Sequence, residues 1–87
     1  MKVRYHKNFW KSYRQRIIKN FKLEAKFQQR LKLFLKDKNN PILKDHQLTG
    51  SKSRYRSFSI TGDFRVIYEE ITNGILLHDI DTHNQVY

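Results

Sequence analysis

Two short alternating runs, separated by three residues, place the strongest constraint on how this chain can fold. In the first run, residues 55–60 (YRSFSI), Phe58 and Ile60 occupy one face and polar side chains the other. The second run, residues 64–68 (FRVIY), is rich in the β-branched and aromatic residues that favour strands. The intervening residues 61–63 (TGD) include a glycine that can adopt positive φ, so the segment predicts a β-hairpin.

The predicted hairpin brings chemically active side chains to one edge of a sheet. Asp63 lies at its tip and Arg65 follows at the start of the second strand, while a short polar loop carries His46 nearby. The convergence of a carboxylate, a guanidinium and an imidazole predicts a functional site at that edge.

The length and composition indicate a single small domain covering residues 1–87. Because the chain has no cysteine, a disulfide, a cysteine-ligated zinc site and a thiol nucleophile are excluded. No apolar run reaches the roughly 18–20 residues that a membrane span needs. The N-terminal residues also lack the apolar core of a signal peptide. We therefore expect a cytoplasmic protein with no membrane association.

The charge is strongly and unevenly basic. The formal net charge is +10 and the sequence pI is about 10.1. Of the 18 Lys and Arg residues, 13 fall in residues 1–38, against only Glu24 and Asp37 there. Phosphate-bearing partners are the usual cause of such an excess, so nucleic-acid binding is favoured over a surface that only maintains solubility. An acidic protein partner could use the same surface.

The N-terminal half predicts a short strand and two helices. Residues 3–6 read as a strand, and apolar residues at three- and four-residue steps predict a helix over residues 9–19, with Asn8 as its N-cap. Residues 21–37 show the clearest helical periodicity in the chain, with an apolar stripe opposite a lysine-rich face. The residues of the stripe are Leu23, Phe27, Leu31, Phe34 and Leu35.

The C-terminal part predicts a second hairpin. Asn73 and Gly74 form a strong turn signal. Residues 75–81 follow as a last strand, and residues 82–87 as a short tail. The order of one strand, two helices and three hairpin-linked strands predicts an α+β fold, in which two N-terminal helices pack on a small twisted, antiparallel-rich sheet of four strands.

Four segments together resemble a known protein family. They are residues 44–50 (KDHQLTG), 55–56 (YR), 62–68 (GDFRVIY) and 82–83 (TH). With these segments the chain resembles the YafQ branch of the RelE/ParE toxin superfamily, the toxins of bacterial type II toxin–antitoxin modules. The resemblance covers the whole chain in element order and is most specific over residues 44–87. The KDHxLxG loop and the terminal TH pair are its sharpest markers.

The resemblance implies a RelE-like fold and an activity. The activity is that of a ribosome-dependent endoribonuclease, an mRNA interferase that cleaves messenger RNA in the A site and so inhibits translation. No cofactor or metal is implied. The implied partners are the ribosome, messenger RNA and a cognate antitoxin whose acidic, initially disordered segment wraps the basic surface.

The resemblance also implies site residues. The catalytic residues it matches are His46, Asp63, Arg65, His83 and Tyr87. The candidate substrate-binding residues are Phe64, Arg56, Ser59 and Lys52. Ser59 is a departure, because YafQ-type proteins carry another histidine there and a serine cannot act as acid or base near neutral pH.

Metal-independent RNA cleavage needs a base for the 2′-OH proton, an acid for the leaving 5′-oxygen and positive charge on the phosphorane-like transition state. Histidine suits the first two roles because its ordinary pKa lies near the working pH. Arg65 suits the third, since its planar fork matches phosphate oxygens. We predict His46 or Asp63 as the base and His83 as the acid, with their order left open.

Simpler interpretations and other functions also stay open. His46 could merely cap its loop, Asp63 is a common turn residue, and Arg65 could pair with a nearby acid. In place of a nuclease, the chain could be a ParE-like toxin that poisons a topoisomerase by contact. It could also be a catalytically weakened relative that binds the ribosome or an antitoxin without cutting RNA.

Overall fold

The predicted hairpin forms the centre of the sheet in the computed structural model, which describes residues 1–82. Two helices, α1 and α2, lie between the first strand and the other four. The strand order across the sheet is β1-β5-β4-β3-β2. The elements are β1 (Lys2–Tyr5), α1 (Lys7–Ser12), α2 (Phe21–Lys36), β2 (His46–Gln47), β3 (Arg56–Ser59), β4 (Phe64–Ile71) and β5 (Gly74–Thr82).

The sheet confirms the α+β class but corrects the predicted number of strands. Within residues 1–82 it has five strands rather than four, because His46 and Gln47 pair with Ser57 and Arg56 on β3. The sheet is also mixed, since β1 pairs with β5 in parallel while the other neighbours are antiparallel. A two-residue strand is too short to show alternation, so its pairing could not be recognised in the sequence.

The first helix begins earlier than predicted and is not regular throughout. His6, rather than Asn8, is the N-cap, and its Nδ1 accepts a hydrogen bond from the Asn8 backbone N–H at 3.0 Å. The α-helix ends at Ser12, and a π-helical segment continues over Tyr13–Ile17. His6 also stacks on His78, with ring centroids 4.4 Å apart.

The second helix follows its predicted pattern. Asn20 caps it, because its Oδ1 accepts a hydrogen bond from the Leu23 N–H at 3.2 Å. Phe27, Leu31 and Phe34 bury the apolar stripe against the sheet. Among the residues expected in that stripe, Leu35 remains 40% exposed, so it lies outside the core.

The core between α2 and the sheet fixes the direction in which the hairpin side chains point. The Phe34 ring stacks on Phe58 at 4.7 Å and meets Tyr68 edge-on at 5.0 Å. Phe58, Val66 and Tyr68 are completely buried there. Since side chains alternate along a strand, Arg65 and the hydroxyls of β3 emerge on the other face of the sheet.

The turn at the hairpin tip forms through Thr61 rather than through a glycine with positive φ. The Thr61 hydroxyl accepts hydrogen bonds from the N–H groups of Asp63 and Phe64, each at 3.2 Å. The Ile60 N–H donates to the Phe64 carbonyl at 2.9 Å. Gly62 does not adopt positive φ, so the hairpin prediction is confirmed although its conformational reason is wrong.

None of the helices in residues 1–82 has the length and apolar character that a membrane crossing requires.

Candidate active site

The site is a cavity of about 330 Å³ on the face of β3 and β4 that points away from the core. Three predicted catalytic residues line it: His46, Asp63 and Arg65. Two predicted substrate-binding residues, Phe64 and Ser59, line it as well. The remaining lining residues are Lys44, Ser57, Thr61 and Gly62. The predicted convergence of an imidazole, a carboxylate and a guanidinium is therefore present.

Arg65 supplies the positive charge at the floor of the cavity. It is only 7% exposed, and it lies in β4 between Ser59 of β3 and Asp81 of β5. Burial and the neighbouring Asp79 raise the pKa of Asp81, whereas Lys52, Arg16 and Arg65 act to lower it. The planar fork of a guanidinium matches phosphate oxygens, so Arg65 is the residue of this cavity best suited to bind a phosphate.

His46 presents an imidazole whose tautomer is set by its own loop. Its Nδ1 lies 2.8 Å from the Lys44 carbonyl oxygen. Because a carbonyl can only accept, Nδ1 must carry the hydrogen, and the neutral ring then has its lone pair on Nε2. The exposed imidazole thus offers the nitrogen lone pair that a general base needs.

The loop that carries His46 is anchored through Asp45. The Asp45 carboxylate accepts hydrogen bonds from the Tyr68 hydroxyl at 2.5 Å and from Arg56 Nη2 at 3.1 Å. Arg56 Nε also donates to the Tyr68 hydroxyl at 3.2 Å. The Asp45 side chain is only 6% exposed. Burial, followed by the bond to Asp45, raises the pKa of Tyr68, which keeps the hydroxyl protonated as a donor.

This anchor explains why Arg56 is absent from the cavity. The sequence suggested Arg56 as a substrate contact, but its guanidinium is paired with Asp45 on the side of β3 that carries Phe58. Alternation along β3 already places Arg56 on the same face as Phe58 and opposite Ser57 and Ser59. That signal was available in the sequence.

The two serines of β3 differ in what their hydroxyls contact. Ser59 donates to the Thr61 carbonyl at 2.8 Å and so supports the turn. Ser57 is 1% exposed and lines the cavity, and its Oγ has no hydrogen-bond partner within residues 1–82. Ser57 also lies directly across from His46 in the β2–β3 register. It lines the cavity although it was not among the predicted site residues.

The other predicted residues lie around or beyond this cavity. Lys52 ends a short 3-10 turn and does not line the cavity, although its charge acts on Asp81. His83 and Tyr87 lie outside the described residues, and their roles stay predictions. In the part of the chain that the structure describes, no three His, Asp or Glu side chains are grouped to hold a metal ion.

The chain is similar to known proteins at the level of a family sequence pattern and of the fold. All of it, residues 1–87, matches a family model described as bacterial toxin of type II toxin–antitoxin system, YafQ. No curated protein matches the sequence.

Several solved structures share the fold. YafQ from E. coli strain BL21(DE3) superposes with a TM-score of 0.81 at 20% identity, covering 99% of this chain and 97% of that one. A copper-bound mutant toxin from Helicobacter pylori gives 0.79 at 22% identity, covering 100% and 99%. A YoeB/ParE toxin from Agrobacterium tumefaciens gives 0.77 at 18% identity, covering 95% and 99%. These likenesses show the fold, and because the family model matches over its whole length, the chain belongs to the YafQ family of bacterial toxins from type II toxin–antitoxin systems.

Proposed function

We propose that this toxin is a ribosome-dependent endoribonuclease that cleaves messenger RNA in the A site and so inhibits translation in the cytoplasm. One observation carries the proposal: His46, Asp63 and Arg65 line a common cavity on the open face of the sheet. An imidazole, a carboxylate and a guanidinium are the groups that RNA cleavage by acid–base catalysis requires.

The proposed reaction is an internal transfer of the phosphate. The 2′-oxygen of one nucleotide forms a bond to the adjacent phosphorus, and the bond from phosphorus to the 5′-oxygen of the next nucleotide breaks. The products are a 2′,3′-cyclic phosphate and a free 5′-hydroxyl. A base takes the proton from the 2′-OH, and an acid returns a proton to the 5′-oxygen, so the step is balanced.

The described residues can supply the base and the positive charge of this reaction. His46 or Asp63 takes the 2′-OH proton, and Nε2 of His46 carries the lone pair that this role needs. Arg65, supported by Asp81, stabilises the negative charge that develops on the phosphate. We propose His83 as the acid and Tyr87 as an additional participant.

The remaining lining residues are proposed to hold the substrate. Phe64 provides an aromatic surface for a base, and Lys44 adds a second positive charge at the cavity. The unpartnered Ser57 hydroxyl can donate to a phosphate oxygen. Ser59 is less available, because its hydroxyl already donates to the Thr61 carbonyl. Lys52 does not line the cavity, so its positive charge would act on the substrate only from a distance.

The toxin is also proposed to bind a cognate antitoxin. E. coli YafQ, which shares the fold, has been solved as a DinJ–YafQ complex. Most of the 13 basic residues among residues 1–38 are exposed and offer a surface for an acidic segment that folds on binding. We expect a tight complex whose affinity falls as salt concentration rises, measured by calorimetry at several ionic strengths.

Mapping the 5′-ends of messenger fragments after brief induction tests the nuclease. The wild type should cut within A-site codons, and His46→Ala or His83→Ala should reduce cutting by about 10²–10⁴-fold. The matched control is His78→Ala, which removes a histidine that does not line the cavity. Replication arrest with intact messenger would instead indicate topoisomerase poisoning, and ribosome binding without cutting would indicate an inactive relative.

A further inference from the structure

A second surface on the molecule combines exposed aromatic rings with basic side chains. It is an open groove that we name the β1 groove, and it is lined by Arg4, Tyr5, His6, Lys7, Trp10 and Leu76. Tyr5 and Trp10 remain 38% and 40% exposed, so each presents part of its ring to solvent. The active-site cavity shares none of these residues.

The rings of Tyr5 and Trp10 are fixed in an orientation on which a planar ligand can stack. Their centroids are 4.7 Å apart and their planes are inclined by only 30°. Each ring also contacts Phe9 at a centroid distance of 5.2 Å, and Phe9 is completely buried. The core therefore fixes the rings from beneath, so little side-chain entropy is lost when a ligand stacks on them.

The charge around the rings has one sign. Arg4 and Lys7 are exposed and lie on either side of Tyr5 in the sequence, and neither forms an ion pair within residues 1–82. The lining contains no acidic residue. Aromatic rings for bases, with cations for the phosphates between them, are the combination that single-stranded nucleic acids require.

We propose that the β1 groove is a second RNA-contact surface that stacks one or two unpaired bases of an RNA strand on Tyr5 and Trp10. It lies at the β1 edge of the sheet, whereas the cavity lies at β2, β3 and β4. The groove therefore engages RNA outside the segment that is cut. This inference goes beyond the proposed function, because it requires neither the cavity nor cleavage.

The test uses Trp10, the single tryptophan of the chain, as a reporter. A 12-nucleotide single-stranded RNA is titrated, without ribosomes, into the full chain carrying His46→Ala, which should slow any cleavage, while Trp10 fluorescence and RNA anisotropy are recorded. Stacking should quench the fluorescence as the anisotropy rises. Tyr5→Leu should weaken binding by at least about 5-fold, the lower end of what one stacked base contributes.

The charges are tested by comparing two double variants that each lose two positive charges. Arg4→Ala with Lys7→Ala should reduce the slope of log K against log salt by about 1.4, since each lost phosphate contact contributes about 0.7 for a single strand. Lys22→Ala with Lys26→Ala, two exposed lysines on α2, should leave the slope and the quench unchanged.

Three results would overturn the inference. If the RNA anisotropy rises while the Trp10 fluorescence stays unchanged, the RNA binds outside the β1 groove. If both double variants lose the same amount of slope in log K against log salt, RNA binding depends on net charge and not on the β1 groove. Quenching by a polyglutamate peptide but not by RNA identifies the groove as a contact for an acidic protein. Each result leaves the A-site cleavage assay unaffected, so failure of this inference is distinguishable from failure of the proposed nuclease.

Discussion

Replacing Tyr68 with phenylalanine tests the anchor beneath the His46 loop. The substitution removes a single hydroxyl, which donates to Asp45 at 2.5 Å and accepts from Arg56 at 3.2 Å, and it preserves the completely buried ring. The Asp45 carboxylate, whose side chain is 6% exposed, is left with Arg56 as its remaining side-chain partner among residues 1–82.

The magnitude follows from these contacts. A hydrogen bond to a charged group contributes about 1.5–3 kcal/mol, and its loss inside the protein is not replaced by water. We expect Tyr68→Phe to lower the free energy of unfolding by about 2 kcal/mol. For a domain of this size, that corresponds to a fall in Tm of roughly 8–16 °C.

Tyr13→Phe is the matched control. The Tyr13 hydroxyl also donates to a carboxylate, that of Glu24, but both residues are partly exposed and neither lines the cavity. Its loss should therefore cost less than about 1 kcal/mol. Because Asp45 directly precedes His46, Tyr68→Phe should also slow messenger cleavage, whereas Tyr13→Phe should not.

Thermal denaturation followed by circular dichroism gives the Tm of both variants. A double-mutant cycle that combines Tyr68→Phe with Asp45→Asn measures the interaction between the two side chains. We expect a coupling energy of at least about 1 kcal/mol between positions 45 and 68. If Tyr68→Phe shifts Tm no more than Tyr13→Phe does, or if the cycle is additive, the hydroxyl does not anchor the loop and the reasoning is refuted.

Two further substitutions test other parts of the fold. Gly74→Ala would place a Cβ only 2.1 Å from the Lys2 carbonyl oxygen, so it should break the β1–β5 pairing. In a denaturant titration it should lower the free energy of unfolding by about 3 kcal/mol or more. Gly62→Ala is the control: its Cβ would have nothing within 4 Å, so the loss should be less than about 1 kcal/mol. Burial, with His6 as a smaller contribution, lowers the pKa of His78 below its ordinary 6.5. The unfolded state thus binds more protons, stability should fall as pH drops through about 6.5, and His78→Gln should flatten that decline; an unchanged pH profile would contradict the assignment.

Much of the site could be predicted because its residues are local to one hairpin. Alternation sets the side-chain directions in β3 and β4, and the turn residues fix where the strands reverse. Asp63 and Arg65 therefore lie together as expected, whereas His46 joins them through the β2–β3 pairing, which alternation does not predict. The resemblance to the toxin family added His83 and Tyr87, which lie beyond the residues that the structure describes.

The parts that were missed depend on contacts between distant positions. The anchor joins Asp45 to Tyr68, 23 residues away, and no short motif encodes such a pair. The parallel pairing of β1 with β5 likewise depends on how the whole chain closes. Arg56 was predicted to bind substrate because of its charge, but it does not line the cavity, and alternation already assigned it to the face of β3 that carries Phe58.

The position of β5 has a consequence for the order of synthesis. The last strand of the described chain lies between β1, the first to be made, and β4, and within residues 1–82 β1 has β5 as its sole strand partner. A nascent chain whose residues 74–82 have not yet left the ribosome thus cannot complete its sheet. Until then Arg65 also lacks the neighbouring strand that carries Asp81. Folding of the complete sheet is consequently postponed until residues 74–82 have been synthesised.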